Sequence, residues 1–373
     1  SGHWGNYFDP MLEHNGEIVK GNGFIIDDFT NHGLKFIEEN KDKPFFLYLP
    51  FNTPHSPNQV PDKWWNKYKN KELKFRNREP GKEDIMQTRV ALAMCENIDW
   101  NVGRIVEKVE ELSLSENTII IYLSDNGPNT VRWNDGMKGK KGSTDEGGVR
   151  SPLTIKWEGT FQPGKKVTKI ASILDLFPTL TELAGLNYLS KKPFDGVSLA
   201  PLLLKENPKW EDRLIINHWR KTSIRSQQYR MDYDGKLFDM ENDPGQLKDI
   251  AAANPEIVKK LSHAREKWKN EVLTELPEID NRTFPIGHPD YSFTQIPARD
   301  GIETGEILRS DNSPNCTYFT NWINVNDSIS WPAEVIKGGT FEVVLYYTCP
   351  VEDVGSTFQL SFGNSKLTAK ILE

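Results

Sequence analysis

The chain has 373 residues, enough for two domains with separate cores. Apolar residues make up 37% and charged residues 27%, which suits a soluble globular protein, and no apolar run approaches the roughly 18 residues that cross a bilayer. A formal net charge of −7 gives nucleic-acid binding no global electrostatic support, and three cysteines are too few for a disulfide scaffold.

Ser1 is not an initiator methionine and no charged-then-apolar leader follows, which suggests a processed chain or one that begins inside a larger protein. Residues 1–24, rich in Gly, Asn and aromatics, read as loop. Thr30 to Asn40 predicts a short helix with Leu34 and Ile37 inward, broken by Lys43-Pro44. The apolar run Phe45-Phe46-Leu47-Tyr48-Leu49, bounded by prolines, predicts a buried parallel strand, with the loop Asn52 to Pro57 at its end. From 84 to 112, Met86, Val90, Met94, Ile98, Val102, Ile105, Val109 and Leu112 recur at helical spacing. Cys95 lies beside that stripe and reads as a core or near-core thiol.

Thr118 to Leu123 predicts a strand after that helix, the rhythm of an α/β sheet. Leu153 to Trp157 predicts another strand, and Leu176 to Leu183 a helix with Pro178 in its first turn. Residues 214–240 look like short strands, and Pro255 to about Leu273 like a helix with Ile257, Leu261, Ala264 and Trp268 on one face. Composition shifts near residue 280. Arg282 to Glu373 holds 11 acidic and 6 basic residues, and its short β-branched and aromatic runs, such as 340–347 and 357–362, predict a small β-sandwich. It contains Cys316 and Cys349, whose spacing leaves a disulfide open.

Three stretches carry chemistry. Ser124-Asp125-Asn126-Gly127 follows directly on a predicted strand. Asp-Asn-Gly is a common turn, but ligands in open α/β sheets bind beyond the carboxyl ends of strands, and a carboxylate beside a carboxamide offers hard oxygens suited to Ca²⁺. Between Val131 and Arg150 there are five basic and three acidic residues in a glycine-rich loop, which suits either an anionic substrate group or a solvated face. His55 sits in the loop after the 45–49 run, where an imidazole can hydrogen-bond an anion or donate a proton, although a lone loop histidine is often incidental.

The runs PFFLYLPFNTPHSP, NVGRIVEKVEELSLSENTIIIYLSDNG and GKKGSTDEGGVRSPLTIKW, followed by SILDLFPTLTELAG, FDGVSLAPLL and LFDMENDPGQLKDIA, resemble in order and spacing the formylglycine-dependent sulfatases of the alkaline-phosphatase superfamily, over about residues 30–275. The resemblance implies an α/β, alkaline-phosphatase-like sheet sandwiched by helices and incomplete at its N-terminus, with a C-terminal mostly β module. The implied boundaries are 1–280 for the sulfatase-type part with its smaller subdomain and 281–373 for the β-sandwich-like module.

It also implies roles. Asp125 and Asn126 match calcium ligands. Lys141 matches the lysine of the GKGST-type loop that contacts sulfate and leaving-group oxygen, and Lys140 takes that place if the alignment slips by one. His55 matches the PH[TS]P histidine, while Arg150 is expected to be mainly structural. Trp133 and Arg132, in the loop after the metal pair, are candidates for an apolar sugar platform and a further anion contact.

One departure is large. The family's nucleophile is a formylglycine made from a C-x-P-x-R or S-x-P-x-R motif, and neither occurs around Cys95, Cys316 or Cys349. The chain alone is therefore expected to be inactive, with the formylglycine, an Asp-Asp metal pair and a second Lys-His pair expected in an upstream segment. The implied function is hydrolysis of sulfuric esters, on a sulfated carbohydrate or aryl sulfate, with Ca²⁺, in a periplasmic or secreted setting. A phosphonate or phosphate ester hydrolase of the same superfamily, or a non-catalytic sulfated-glycan-binding remnant, remain as alternatives. Sugar identity, endo or exo action and oligomeric state are open.

Overall fold

The computed structural model describes residues 6–15, 17–188, 191–206, 208–277, 281–310 and 317–372. The chain divides into two units, residues 1–280 and 281–373.

Unit 1 begins with a hairpin, β1 (Met11–His14) against β2 (Glu17–Lys20), where the sequence suggested only loop. Three helices follow: α1 (Ile25–Asn40), α2 (Asp62–Tyr68) and α3 (Ile85–Glu111). Helix α1 starts five residues earlier than its periodicity indicated, with Asp27 and Asp28 in its first turn, where the helix dipole favours acids. Asp84 caps α3 by accepting from Gln87 N. Met94, Ile98 and Val109 of the α3 stripe are buried, and Met94 joins Tyr7, Phe24, Ile25 and Ile26 in one core. Cys95 is exposed, not near-core, on the side of α3 that turns away from the buried Ala93, Met94 and Asn97.

The 45–49 run is extended but is not hydrogen-bonded as a strand. Its burial alternates. Phe45 meets Phe36 of α1 with ring centroids 6.0 Å apart, and Leu47 and Leu49 face Gly33 of the same helix. Phe46 and Tyr48 point the other way and are 78% and 73% exposed. The expected buried parallel strand is thus covered on one face only.

Strand β3 (Ile120–Leu123) pairs antiparallel with β4 (Leu153–Lys156), with the four-residue helix α4 (Glu146–Val149) between them. The sequence suggested one strand of an α/β sheet here; among the described residues β3 has only the antiparallel partner. After α5 (Leu176–Leu183) and α6 (Ala200–Leu204) comes a four-stranded antiparallel meander: β5 (Ile215–Trp219), β6 (Lys221–Arg225), β7 (Tyr229–Met231) and β8 (Leu237–Asp239). Helix α7 (Pro255–Val272) covers it, with Leu261 packed on Ile224, Met231 and Leu237, and Ile257 and Ala264 beside them. Pro255 at the first position is a natural helix start.

Unit 2 is mostly β. Strand β9 (Phe284–Ile286) pairs parallel with β14 (Ala333–Val335); β10 (Ile302–Thr304) with β13 (Ser328–Ser330), β11 (Leu308–Arg309) with β12 (Phe319–Thr320), and β15 (Thr357–Phe362) with β16 (Ser365–Lys370) are antiparallel. The pairings are two-stranded. The run 340–347, read as a strand from its pattern, joins none of them, and Val343, Val344 and Tyr346 are exposed. The suggested Cys316–Cys349 pairing involves a residue outside those described.

Candidate active site

The Ser124–Gly127 turn leaves the end of β3 and is fastened to the loop 137–148 by backbone bonds. Gly127 N donates to Gly148 O at 2.9 Å, and Lys141 N donates to Pro128 O at 2.9 Å. The approach is so close that a Cβ on Gly127 would lie 1.9 Å from Gly147 O, and one on Gly148 would lie 2.2 Å from Ser143 O. Glycine at these positions is a packing requirement. The structure therefore brings Asp125 and Asn126 together with the loop that carries Lys140 and Lys141, as the motif order suggested. Asn126 Nδ2 donates to Gly127 O at 3.1 Å, which leaves the carboxamide oxygen as its ligating atom.

Three lysines of the loop behave differently. Lys138 lies 3.2 Å from Asp145 and 3.3 Å from Asp232, over the ring of Phe238. Burial pulls its ammonium pKa down, but the two carboxylates outweigh that and leave it raised. Lys140 is exposed and Lys141 half-buried, and among the described residues neither has a carboxylate partner. Lys138 is thus committed to the scaffold, while the two lysines singled out from sequence remain available to an anion.

A buried charge cluster holds this loop. Glu146, 1% exposed, receives Arg225 on one carboxylate oxygen and Arg230, at 2.9 Å, on the other. Arg230 also donates to Thr144 O at 2.8 Å, and Ser223 Oγ donates to the same carbonyl at 2.7 Å. Burial pulls the Arg230 guanidinium below its ordinary range, with Glu146 opposing that pull. Gln246 bridges Glu146 N and Asp145. Arg150 reaches Glu146 at 3.7 Å with a largely exposed side chain. Sequence reading did not find this cluster. The acids sit in the DEGG run, but nothing local marks Arg225 and Arg230 as their partners, 79 and 84 residues away.

His55 is half-buried, and its loop is anchored by the buried Tyr7, whose hydroxyl donates to Ser56 O at 2.6 Å. Asn58 ties the same loop to Gln87 of α3 at 2.6 Å. The His55 Nδ1 lies 3.1 Å from Ser56 O; a carbonyl can only accept, so this bond needs the hydrogen on Nδ1. The bonds that join the 124–128 and 137–148 loops do not run through this loop.

Arg132 is turned back onto its own segment: Nη2 donates to Thr130 Oγ1 at 2.6 Å, and Asn77 holds its carbonyl at 2.6 Å. Burial lowers its pKa, with Cys95 and Asp84 opposing. Trp133 is 51% exposed. Arg132 is therefore partly occupied and Trp133 is open.

The donor chemistry at the end of β3 fits a hard cation: a carboxylate from Asp125 and a carboxamide oxygen from Asn126. The number does not, since Ca²⁺ takes roughly 6–8 oxygens. Among the described residues no group of three or more His, Cys, Asp or Glu gathers as a metal site. Four buried side-chain oxygens in the surrounding loops, Asn52 Oδ1, Thr53 Oγ1, Asn134 Oδ1 and Thr144 Oγ1, have no hydrogen-bond partner among the described residues.

A sulfatase family profile matches residues 5–186, and a profile for the C-terminal region of N-sulphoglucosamine sulphohydrolase matches 140–271. The chain is 26% identical over 332 residues to the uncharacterized sulfatase YdeN of Escherichia coli, covering 74% of this chain and 56% of that protein. It is 26% identical over 284 residues to an N-acetylgalactosamine-6-O-sulfatase of Bacteroides thetaiotaomicron, covering 66% and 51%. Among solved structures, Ps i-CgsB in complex with k-i-k-neocarrahexaose is 30% identical with a TM-score of 0.61, covering 69% of this chain and 58% of that one. The chain thus spans little more than half the length of these relatives.

Proposed function

Because this chain belongs to the sulfatase family, with its alkaline-phosphatase-like fold, we propose that it forms the C-terminal share of a sulfuric ester hydrolase acting on a sulfated carbohydrate. One observation carries the reading: the Asp125-Asn126 turn is bonded to a loop that presents two lysines with no acid partner among the described residues. Asp125 and Asn126 would hold Ca²⁺, which when bound supplies positive charge to a sulfate oxygen. Lys141 neutralises the sulfuryl group, with Lys140 beside it, and His55 protonates the departing sugar oxygen. The formylglycine nucleophile and the remaining metal ligands come from a preceding segment.

Two measurements test this. The chain alone should not turn over an aryl sulfate, and turnover undiminished by Lys141→Ala would overturn the assignment. By calorimetry in calcium buffer, the chain should bind a carrageenan hexasaccharide but not its desulfated form, and Lys141→Ala should remove that difference. Preference for an aryl phosphate over an aryl sulfate would point instead to the phosphate ester hydrolases of the superfamily.

A further inference from the structure

The tip of the β5–β6 hairpin lies against the lysine loop. Trp219 pairs with Lys221 across the turn, and Arg220 forms the tip between them. A Cβ placed on Gly142, the residue after Lys141, would lie 3.9 Å from Trp219 Nε1. The position is fixed from below. Ser223, on the next strand, donates to Thr144 O at 2.7 Å, and Arg225 of the same strand enters the buried Glu146 cluster. Hairpin tip and lysine loop are therefore held together, clamped at Ser223 and Arg225, three to six residues from Trp219 and Arg220.

What the tip presents differs from ordinary packing. Trp219 is 60% exposed, at the open end of a strand whose first three residues are half-buried. Arg220 is exposed, has no carboxylate partner among the described residues, and lies 5.9 Å from the Trp219 ring. Its φ is +60°, a left-handed conformation that a long side chain adopts rarely and that recurs at ligand clamps. Lys221, by contrast, is settled over the Tyr233 ring at 3.9 Å. The surface thus has an exposed indole beside three cations, Lys140, Lys141 and Arg220, that have no carboxylate partner among the described residues. A single apolar plane amid cations suits a sugar ring that carries anionic substituents; a protein partner would ask for a broader apolar patch.

We propose that Trp219 and Arg220 form a substrate subsite next to the Lys140–Lys141 loop, with the indole face stacking on a sugar residue adjacent to the one whose sulfate is removed, and the guanidinium binding an anionic group on that neighbour. The proposal rests on the sulfatase reading. It assigns to the hairpin the role that sequence reasoning gave to Trp133 and Arg132.

The test is calorimetric binding of the full chain to three probes: a carrageenan hexasaccharide, its desulfated form and phenyl sulfate. Variants are Trp219→Ala, Trp219→Phe, Arg220→Gln and Lys141→Ala, each checked for native circular dichroism and melting temperature. Trp219→Ala should weaken the hexasaccharide about tenfold and leave phenyl sulfate unchanged, as expected for loss of an aromatic anchor outside the sulfate pocket. Trp219→Phe should recover most of the loss, and Arg220→Gln should flatten the salt dependence of hexasaccharide binding. Equal weakening of both sulfated probes by Trp219→Ala would make the tryptophan a prop for the Gly142 turn and overturn the subsite. Unchanged hexasaccharide binding in Trp219→Ala and Arg220→Gln, with loss in Lys141→Ala, would overturn the subsite and leave the sulfatase reading standing. Failure of the wild-type chain to distinguish sulfated from desulfated hexasaccharide, or indifference to Lys141→Ala, would overturn both.

Discussion

Two sides of unit 1 are built to different standards. On one, the loop 137–148 is locked to the β5–β8 meander by Glu146, Arg225, Arg230 and Ser223, nearly all buried and hydrogen-bonded. On the other, the extended run 45–49 packs only one face on α1, and among the described residues β3 has a single antiparallel partner. On the first side the buried charges find their partners within the loop and the meander, and the second shows bare aromatics in an alternating row. The difference separates what positions Lys140 and Lys141 from what positions His55. The lysine loop is held by charges whose partners are all within the chain. The histidine loop hangs from Tyr7 and Asn58, next to an apolar face open to solvent.

The largest effect should come from breaking the locked side. Glu146→Ala leaves Arg225 and Arg230 buried without an anion, and loss of one partner of a buried pair costs about 3–5 kcal/mol. Urea unfolding should show a fall of that order. A loss below about 1 kcal/mol, the scale of an exposed ion pair, would mean the cluster is solvated and does not hold the loop. Next comes Gly127→Ala. Its methyl would strike Gly147 O, and overpacking of this kind costs about 1–3 kcal/mol. Because the clash falls between the two site loops, hexasaccharide binding should fall with stability. Intact stability with intact binding would show that the loops part without consequence.

Much of this was legible in sequence. Helix α3 and α7 follow from long apolar stripes, and α5 from a short one with proline in its first turn. The motif order put the Asp125-Asn126 turn and the lysine loop in one site, and backbone bonds join the two loops. What was not legible depends on pairs distant in the chain. The run 45–49 has strand composition, yet a strand also needs hydrogen-bonding neighbours, and composition does not reveal them. Residues 340–347 failed for the same reason. Trp219 carried no signal, since only the register of β5 on β6 and the Ser223–Thr144 bond place it at Gly142. Arg132 looked available because sequence does not show that Thr130 takes its guanidinium.

The open side gives the next smaller pair. Leu47→Ala removes a side chain packed against α1 and should cost about 2 kcal/mol, toward the lower end for a partly covered leucine. Phe46→Ser and Tyr48→Ser should stay within about 0.5 kcal/mol in this chain, because both rings are already in water. Thermal melts of the three variants suffice. A large loss at Phe46 or Tyr48 would mean that this face is covered in solution by something the isolated chain supplies itself.

The smallest effect is a pH dependence that belongs to the locked side alone. Lys138 has its pKa raised above its ordinary value of 10.5: burial opposes the ammonium, but Asp145 and Asp232 prevail. A lysine whose folded pKa exceeds its unfolded one contributes stability that is fully present below the unfolded value. That stability disappears as pH rises through the folded one. The urea midpoint should therefore be flat from neutral pH to about 10 on this account and decline above it. The side chain is about a third exposed, so solvent screening keeps the contribution modest. Lys138→Met should lower the midpoint at neutral pH, because Asp145 and Asp232 lose their cation, and should reduce the alkaline decline. Lys141→Met, which removes a lysine with no acid partner, should leave that decline as it is. If both variants flatten the curve equally, the alkaline decline comes from general lysine deprotonation, and Lys138 has no special tie to the two aspartates. If only Lys138→Met does so, the loop's three lysines divide as the geometry divides them, one holding the scaffold and two facing the anion.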